Sequence, residues 1–174
     1  MPTLDSALTK LAGVQLIVPK VLDDDRGYFK ETFSEPKYAQ IGIAGPFVQD
    51  NVSFSRRNVL RGMHYDLRMG KLVQALVGSI YDVCVDLRED SVTYKQWLGF
   101  ELSAENHRQV YIPPGVAHGF LTLSDAAIVM YKQTATYDSA HERAISWQDP
   151  SVAIAWPLSG SAPILSAKDA ALEC

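Results

Sequence analysis

The chain has 174 residues, with 16 Lys and Arg against 20 Asp and Glu, a formal net charge of −4 at pH 7. That length suits one domain spanning residues 1–174 with a sizeable core, and the mild acidic balance without a basic stripe excludes nucleic acid as an expected partner. No apolar run approaches the roughly 20 residues of a membrane span. The opening MPTLDSALTKLAG lacks the basic start and apolar stretch of a signal peptide, and Cys84 with Cys174 makes no disulfide framework. The expectation is a soluble, cytoplasmic protein with no membrane partner.

In chain order the signal is short strands. GVQLIVP (13–19), YFKETFS (28–34) and FVQDNVSFS (47–55) come first, separated by a short helical segment, EPKYAQIG (35–42). LVQALVGSIYDVCVDL (72–87) is the clearest piece. Val73, Ala75 and Val77 alternate before Gly78-Ser79, and Tyr81, Val83, Val85 and Leu87 alternate after it, which predicts a hairpin with a tight turn. QWLGFEL (96–102), QVYIP (109–113), HGFLTLS (118–124), AIVMYKQTATY (127–137) and AISW (144–147) continue the series, and SAKDAALE (166–173) reads as a terminal helix. Turn residues punctuate most gaps at spacings of about 8–12 residues, the pattern of an all-β sandwich or barrel.

Two places concentrate chemistry. NVLRGMHYDLRMGK (58–71) sets His64, Asp66 and Lys71 between apolar segments, and PPGVAHGF holds a P-x-G-x-x-H pattern from Pro113 to His118. The second pattern resembles a motif of cupins, jelly-roll barrels whose motif histidine points inward. Three readings of the histidines stand open on spacing alone. A histidine at a strand end is commonly hydrogen-bonded and inert. His64, Asp66 and His118 together read as H-x-D…H, the ligand set of a facial-triad non-haem iron oxygenase. The third reading makes His64 a general base, and Lys71 close by favours it, because an ammonium opposes a divalent cation.

Seven stretches in sequence order, among them DDRGYFKETF, FVQDNVSFSRRNVLRGMHY, YIPPGVAHGF and LSAKDAA, resemble the dTDP-4-dehydrorhamnose 3,5-epimerase family of nucleotide-sugar epimerases. The resemblance implies a cupin-type jelly-roll barrel and a reaction without metal or cofactor. Its substrate would be a nucleotide-diphosphate 4-keto-6-deoxy sugar. The C4 ketone acidifies the hydrogens on C3 and C5, a base removes one, and a proton returns to the opposite face of the enolate. Carried over residue by residue, His64 is the base, Asp169 orients it, Lys71 stabilises the enolate oxygen and Tyr131 is the acid. Tyr137 is the other candidate for the acid, assigned here to substrate contact. The two tyrosines are six residues apart, so a regular strand would turn both to one face.

The same match assigns Arg61, His118, Gln49, Asn51 and Glu142 to substrate binding. Arg26, Phe29 and Glu31 match the segment that family members lend to a neighbouring subunit, which implies a homodimer. The chain departs from the family pattern near the base. Asp66 stands where glutamine is usual, and the connection from His64 to Lys71 is shortened, which leaves epimerisation at C3, C5 or both open. A non-catalytic sugar-binding cupin is a further alternative, although a pure binding site has little use for a His–Asp pair facing a tyrosine.

Overall fold

The computed structural model describes residues 4–158 and 160–172. Its elements run β1 (Asp5–Leu8), β2 (Gln15–Val18), β3 (Val21–Asp24), β4 (Gly27–Lys30), α1 (Glu35–Gln40), β5 (Gln49–Arg56), β6 (Leu60–Tyr65) and β7 (Lys71–Val77). β8 (Ser79–Asp86), β9 (Trp97–Ser103), β10 (Gln109–Ile112), β11 (Val116–Thr122), β12 (Ala126–Gln133), β13 (Arg143–Ala144) and α2 (Ala167–Ala170) complete it. A six-stranded sheet in the order β1-β2-β10-β7-β12-β5 faces a five-stranded sheet in the order β13-β6-β11-β8-β9, while β3 and β4 form a separate hairpin. All these pairings are antiparallel. This is the jelly-roll architecture that the strand spacing and the P-x-G-x-x-H pattern predict. No helix among the described residues is long and apolar enough to cross a membrane.

Three apolar layers hold the sheets. Val73, Ala75 and Val129 of the larger sheet meet Ile80, Cys84 and Phe120 of the smaller one. Tyr38, Ile43 and Leu72 pack on the outer side of the larger sheet, and Val152 with Trp156 covers Met63, Val83, Val85 and Ala117 on the outer side of the smaller. Strands in the middle of each sheet are therefore buried on both faces.

That burial corrects the predicted hairpin over 72–87. β7 pairs with β10 and β12 in one sheet, whereas β8 pairs with β11 and β9 in the other. Gly78, at φ +70°, is the corner between them, and a Cβ there would lie 2.0 Å from the Ala126 carbonyl oxygen. Alternation along β8 separates two buried faces rather than core from solvent. Tyr81, Val83 and Val85 turn outward under Trp156, and Ile80 and Cys84 turn inward with Asp82 in register between them. A second correction concerns Tyr137. β12 ends at Gln133, so Tyr137 stands on the following irregular segment and shares no strand face with Tyr131.

Other predicted elements are shorter than expected. AISW contributes only Ala144, to the two-residue β13, and the terminal helix is limited to Ala167–Ala170, with Glu173 and Cys174 outside the described residues. β1, β3 and β6 are strands that the alternation does not reveal. β6, LRGMHY, reaches the site because Gly62 lets it close on β11. A Cβ on Gly62 would sit 2.6 Å from the Gly119 Cα.

Candidate active site

The close approach of β6 and β11 sets His64 opposite His118 in register. Both line a cavity of about 480 Å³ between the sheets, together with Arg61, Lys71, Tyr131, Tyr137, Glu142 and Asp169. This size falls within the roughly 300–1,000 Å³ usual for small-molecule sites. The cavity walls come from opposite sheets. His64 and His118 belong to the five-stranded sheet, and Lys71 and Tyr131 to the six-stranded one.

The base candidate has a carboxylate behind it. His64 donates from Nε2 to Asp169 Oδ1 at 2.6 Å, leaving Nδ1 as its second polar atom. Asp169 is buried, and α2 holds it there: the Ser166 hydroxyl caps the helix by accepting the Asp169 amide at 3.1 Å. Burial presses the His64 pKa below the ordinary imidazole value, and the negative charges of Asp169 and Glu142 offset only part of that fall. The shift favours the unprotonated imidazole, the form a general base needs.

Lys71 opens β7 with its Nζ donating to the His64 carbonyl oxygen at 3.3 Å. Burial lowers its pKa, against the opposing pull of Glu142 and Asp82. The Tyr131 hydroxyl shares a hydrogen bond with the Ser53 hydroxyl at 2.9 Å, and burial raises its pKa far above the usual phenol value. Tyr131 therefore keeps its proton. Tyr137 is 53% exposed at the cavity mouth and donates from its hydroxyl to Glu142 Oε2 at 3.2 Å. Glu142 also accepts from the Lys168 ammonium, and its Oε1 lies 4.0 Å from His64 Nδ1. Burial pushes the Glu142 carboxyl up, but the bond from Lys168 and its other charged and polar neighbours outweigh it and leave the carboxyl below its ordinary value.

The remaining predicted residues divide into two groups. Asn51, Arg61 and His118 line the cavity. Arg61 is anchored at its rim by donating from Nε to the Ser55 hydroxyl at 2.9 Å and from Nη2 to the Phe54 carbonyl at 3.0 Å. Gln49 stands behind them, bonded to Asn51 Oδ1 at 3.0 Å and accepting the Tyr137 amide at 2.8 Å. Arg26, Phe29 and Glu31 lie apart from this chain's cavity. Arg26 is paired to Asp24 and Glu31 to Lys37, and Phe29 is 70% exposed.

The H-x-D…H set does not converge. Arg68 takes both oxygens of Asp66, at 3.1 and 2.8 Å, while His118 donates from Nε2 to Asp82 Oδ2 at 2.6 Å. Among the described residues no group of three or more His, Cys, Asp or Glu side chains is arranged to hold a metal. Sequence reasoning passed over Asp82, Lys168 and Ser53. Asp82 leaves a signal in retrospect, a lone carboxylate inside the apolar strand IYDVCV.

Comparison with known proteins agrees with the geometry. Residues 8–174 match the family model described as dTDP-4-dehydrorhamnose 3,5-epimerase. The dTDP-4-dehydrorhamnose 3,5-epimerase of Pseudomonas aeruginosa is 50% identical over 166 residues, 92% of this chain and 91% of that protein. Among solved structures, dTDP-6-deoxy-D-glucose-3,5-epimerase from Legionella pneumophila, in complex with dTDP-4-keto-L-rhamnose, superposes with a TM-score of 0.93 at 45% identity, covering 97% of this chain and 91% of that one. The Bacillus anthracis dTDP-4-dehydrorhamnose 3,5-epimerase, with TDP and PPi bound, gives 0.94 at 43% identity, covering 98% and 99%. The chain belongs to the dTDP-4-dehydrorhamnose 3,5-epimerase family and is an isomerase of the epimerase type.

Proposed function

We propose that this epimerase inverts C3, C5 or both in a 4-keto-6-deoxy sugar carried on a nucleoside diphosphate, acting in the cytoplasm by proton transfer through an enolate. The observation that supports this best is the His64–Asp169 pair at 2.6 Å on the wall opposite a half-buried tyrosine, Tyr131, whose hydroxyl is bonded to Ser53. His64 Nδ1 removes the proton from carbon. Asp169 stabilises the imidazolium that forms, the role of a carboxylate in a catalytic triad. Lys71 donates to the enolate oxygen as negative charge moves from carbon to the former ketone, and Tyr131 delivers a proton from the other face. Loss of the His64 proton to solvent and reprotonation of the Tyr131 phenolate from solvent reset the site. Arg61 at the rim suits a phosphate oxygen, because a guanidinium donates two parallel hydrogen bonds.

A homodimer completes this reading. Phe29 and Tyr28 on the β3–β4 hairpin and Val52 and Phe54 on the outer face of β5 are large apolar side chains left exposed. A second copy would cover them and receive Arg26, Phe29 and Glu31 at its nucleotide site. The test is proton NMR in heavy water with 4-keto-6-deoxy sugars on several nucleoside diphosphates. Deuterium entering at C3, C5 or both identifies the reacting carbons and ranks the nucleotides. No exchange with any of them would overturn the reading.

A further inference from the structure

The site holds a second histidine backed by a carboxylate, and the steps above do not use that carboxylate. Asp82 lies on β8 between Ile80 and Cys84, wholly buried, and His118 donates from Nε2 to its Oδ2 at 2.6 Å. Its other oxygen, Oδ1, is buried without a hydrogen-bond partner among the described residues. A buried carboxylate that is only half satisfied is costly, and an apolar residue fills this layer at Ile80 and Cys84 on either side. Stability does not explain its presence.

Its surroundings point to the pocket. The His118 ring is 5% exposed and lines the cavity. It stands edge-on to the acid candidate Tyr131, with centroids 6.1 Å apart and planes at 73°, and lies 6.5 Å from Phe120. The ring is thus held by a carboxylate at one nitrogen and by aromatic neighbours at its faces. With Nε2–H committed to Asp82, the other polar atom of the ring is Nδ1, and His118 makes no hydrogen bond through it among the described residues. Asp82 also acts on Lys71, whose pKa it pulls upward.

We propose that Asp82 is a positioning residue for the epimerisation: acting through His118, it fixes one imidazole tautomer and ring orientation, so that Nδ1 accepts a hydrogen bond from a hydroxyl of the bound sugar. The inference rests on the reading of the cavity as a sugar-epimerising site. Two carboxylate-backed imidazoles then divide the work. His64 with Asp169 takes the proton from carbon, and His118 with Asp82 holds the ring that presents it. Groups behind a ligating histidine commonly act in this way, by setting which nitrogen keeps the proton.

The experiment is nitrogen-15 NMR of the histidine rings in the resting protein, with Asp82→Asn and His118→Asn as comparisons. The chain has four histidines, so loss of one signal set in His118→Asn makes the assignment. The wild type should show His118 with the proton on Nε2, and Asp82→Asn should redistribute it between the two nitrogens. In turnover, Asp82→Asn should lower kcat about 10- to 100-fold, the range seen for groups behind ligating histidines. Its affinity for the nucleoside diphosphate alone should not change. The double variant should be little slower than His118→Asn alone, because the pull of Asp82 on Lys71 is minor beside its direct bond to that ring.

A wild-type His118 with the proton on Nδ1 overturns the proposal, whether or not the Asp82 variant folds. Losses that multiply in the double variant overturn it as well. The tautomer is read without substrate, so absence of deuterium exchange would remove the epimerase reading while leaving this measurement to give its own answer.

Discussion

The cavity and the β3–β4 hairpin use charge in opposite ways. In the cavity, both histidines and Glu142 are tied to side chains far away in sequence: His64 to Asp169, His118 to Asp82, Glu142 to Lys168. At the turn of the hairpin the pairing is local, Asp24 to Arg26 across two residues, and just beyond it Glu31 reaches Lys37 on α1 across six; these side chains are solvated. Long-range pairs exist only once distant parts of the chain have come together, so the fold itself fixes the acid–base geometry. Local pairs survive wherever the hairpin goes. A region of that kind is suited to contact a second molecule, and a region of the first kind to hold reacting atoms still.

The sharpest way to break the contrast is at the base. His64→Asn should lower turnover about 1,000-fold, within the usual reach of a positioned general base, with an unchanged Tm in thermal unfolding. Asp169→Asn should cost about 100-fold in kcat through the wrong tautomer and a less stabilised imidazolium. It should also lower the inflection in kcat/KM against pH, because Asp169 raises the His64 pKa and its charge is lost. At the hairpin the effect should be smaller and of another kind. Arg26→Ala should raise KM about 10-fold, with kcat and Tm unchanged in steady-state and thermal measurements. The pH profile of the wild type is the mildest test. The base must be unprotonated, so kcat/KM should rise with pH through an inflection below the ordinary imidazole value of about 6.5. At higher pH it should fall again as Lys71, whose pKa burial lowers, gives up the proton it donates, whereas Tyr131 keeps its own because its pKa is displaced upward.

Much of this was legible in the residues, and the failures share a cause. Alternation found most strands, since period two is a property of the strand alone. It could not say which strand pairs with which. The turn at Gly78-Ser79 reads as a hairpin, and only the burial of both faces of β7 and β8 shows that the chain crosses between sheets there. β6 escaped notice because Arg61 and Gly62 interrupt its apolar pattern, yet Gly62 is what allows the approach to β11 that brings His64 beside His118. The resemblance to a known family named His64, Lys71, Tyr131 and Asp169, and the fold brings all four to one cavity. Asp82 was unreadable for a different reason. Its meaning depends on the imidazole 36 positions further along the chain, and no local pattern links the two.

The most direct test of the two-wall account is the ratio of exchange to inversion in Tyr131→Phe, followed by proton NMR in heavy water with the preferred nucleotide sugar. If His64 abstracts on one face and Tyr131 protonates on the other, this variant should still exchange the carbon-bound hydrogen for deuterium while completed inversion falls about 100-fold. Equal loss of exchange and inversion, matching His64→Asn, would contradict the division of acid and base between the two sheets.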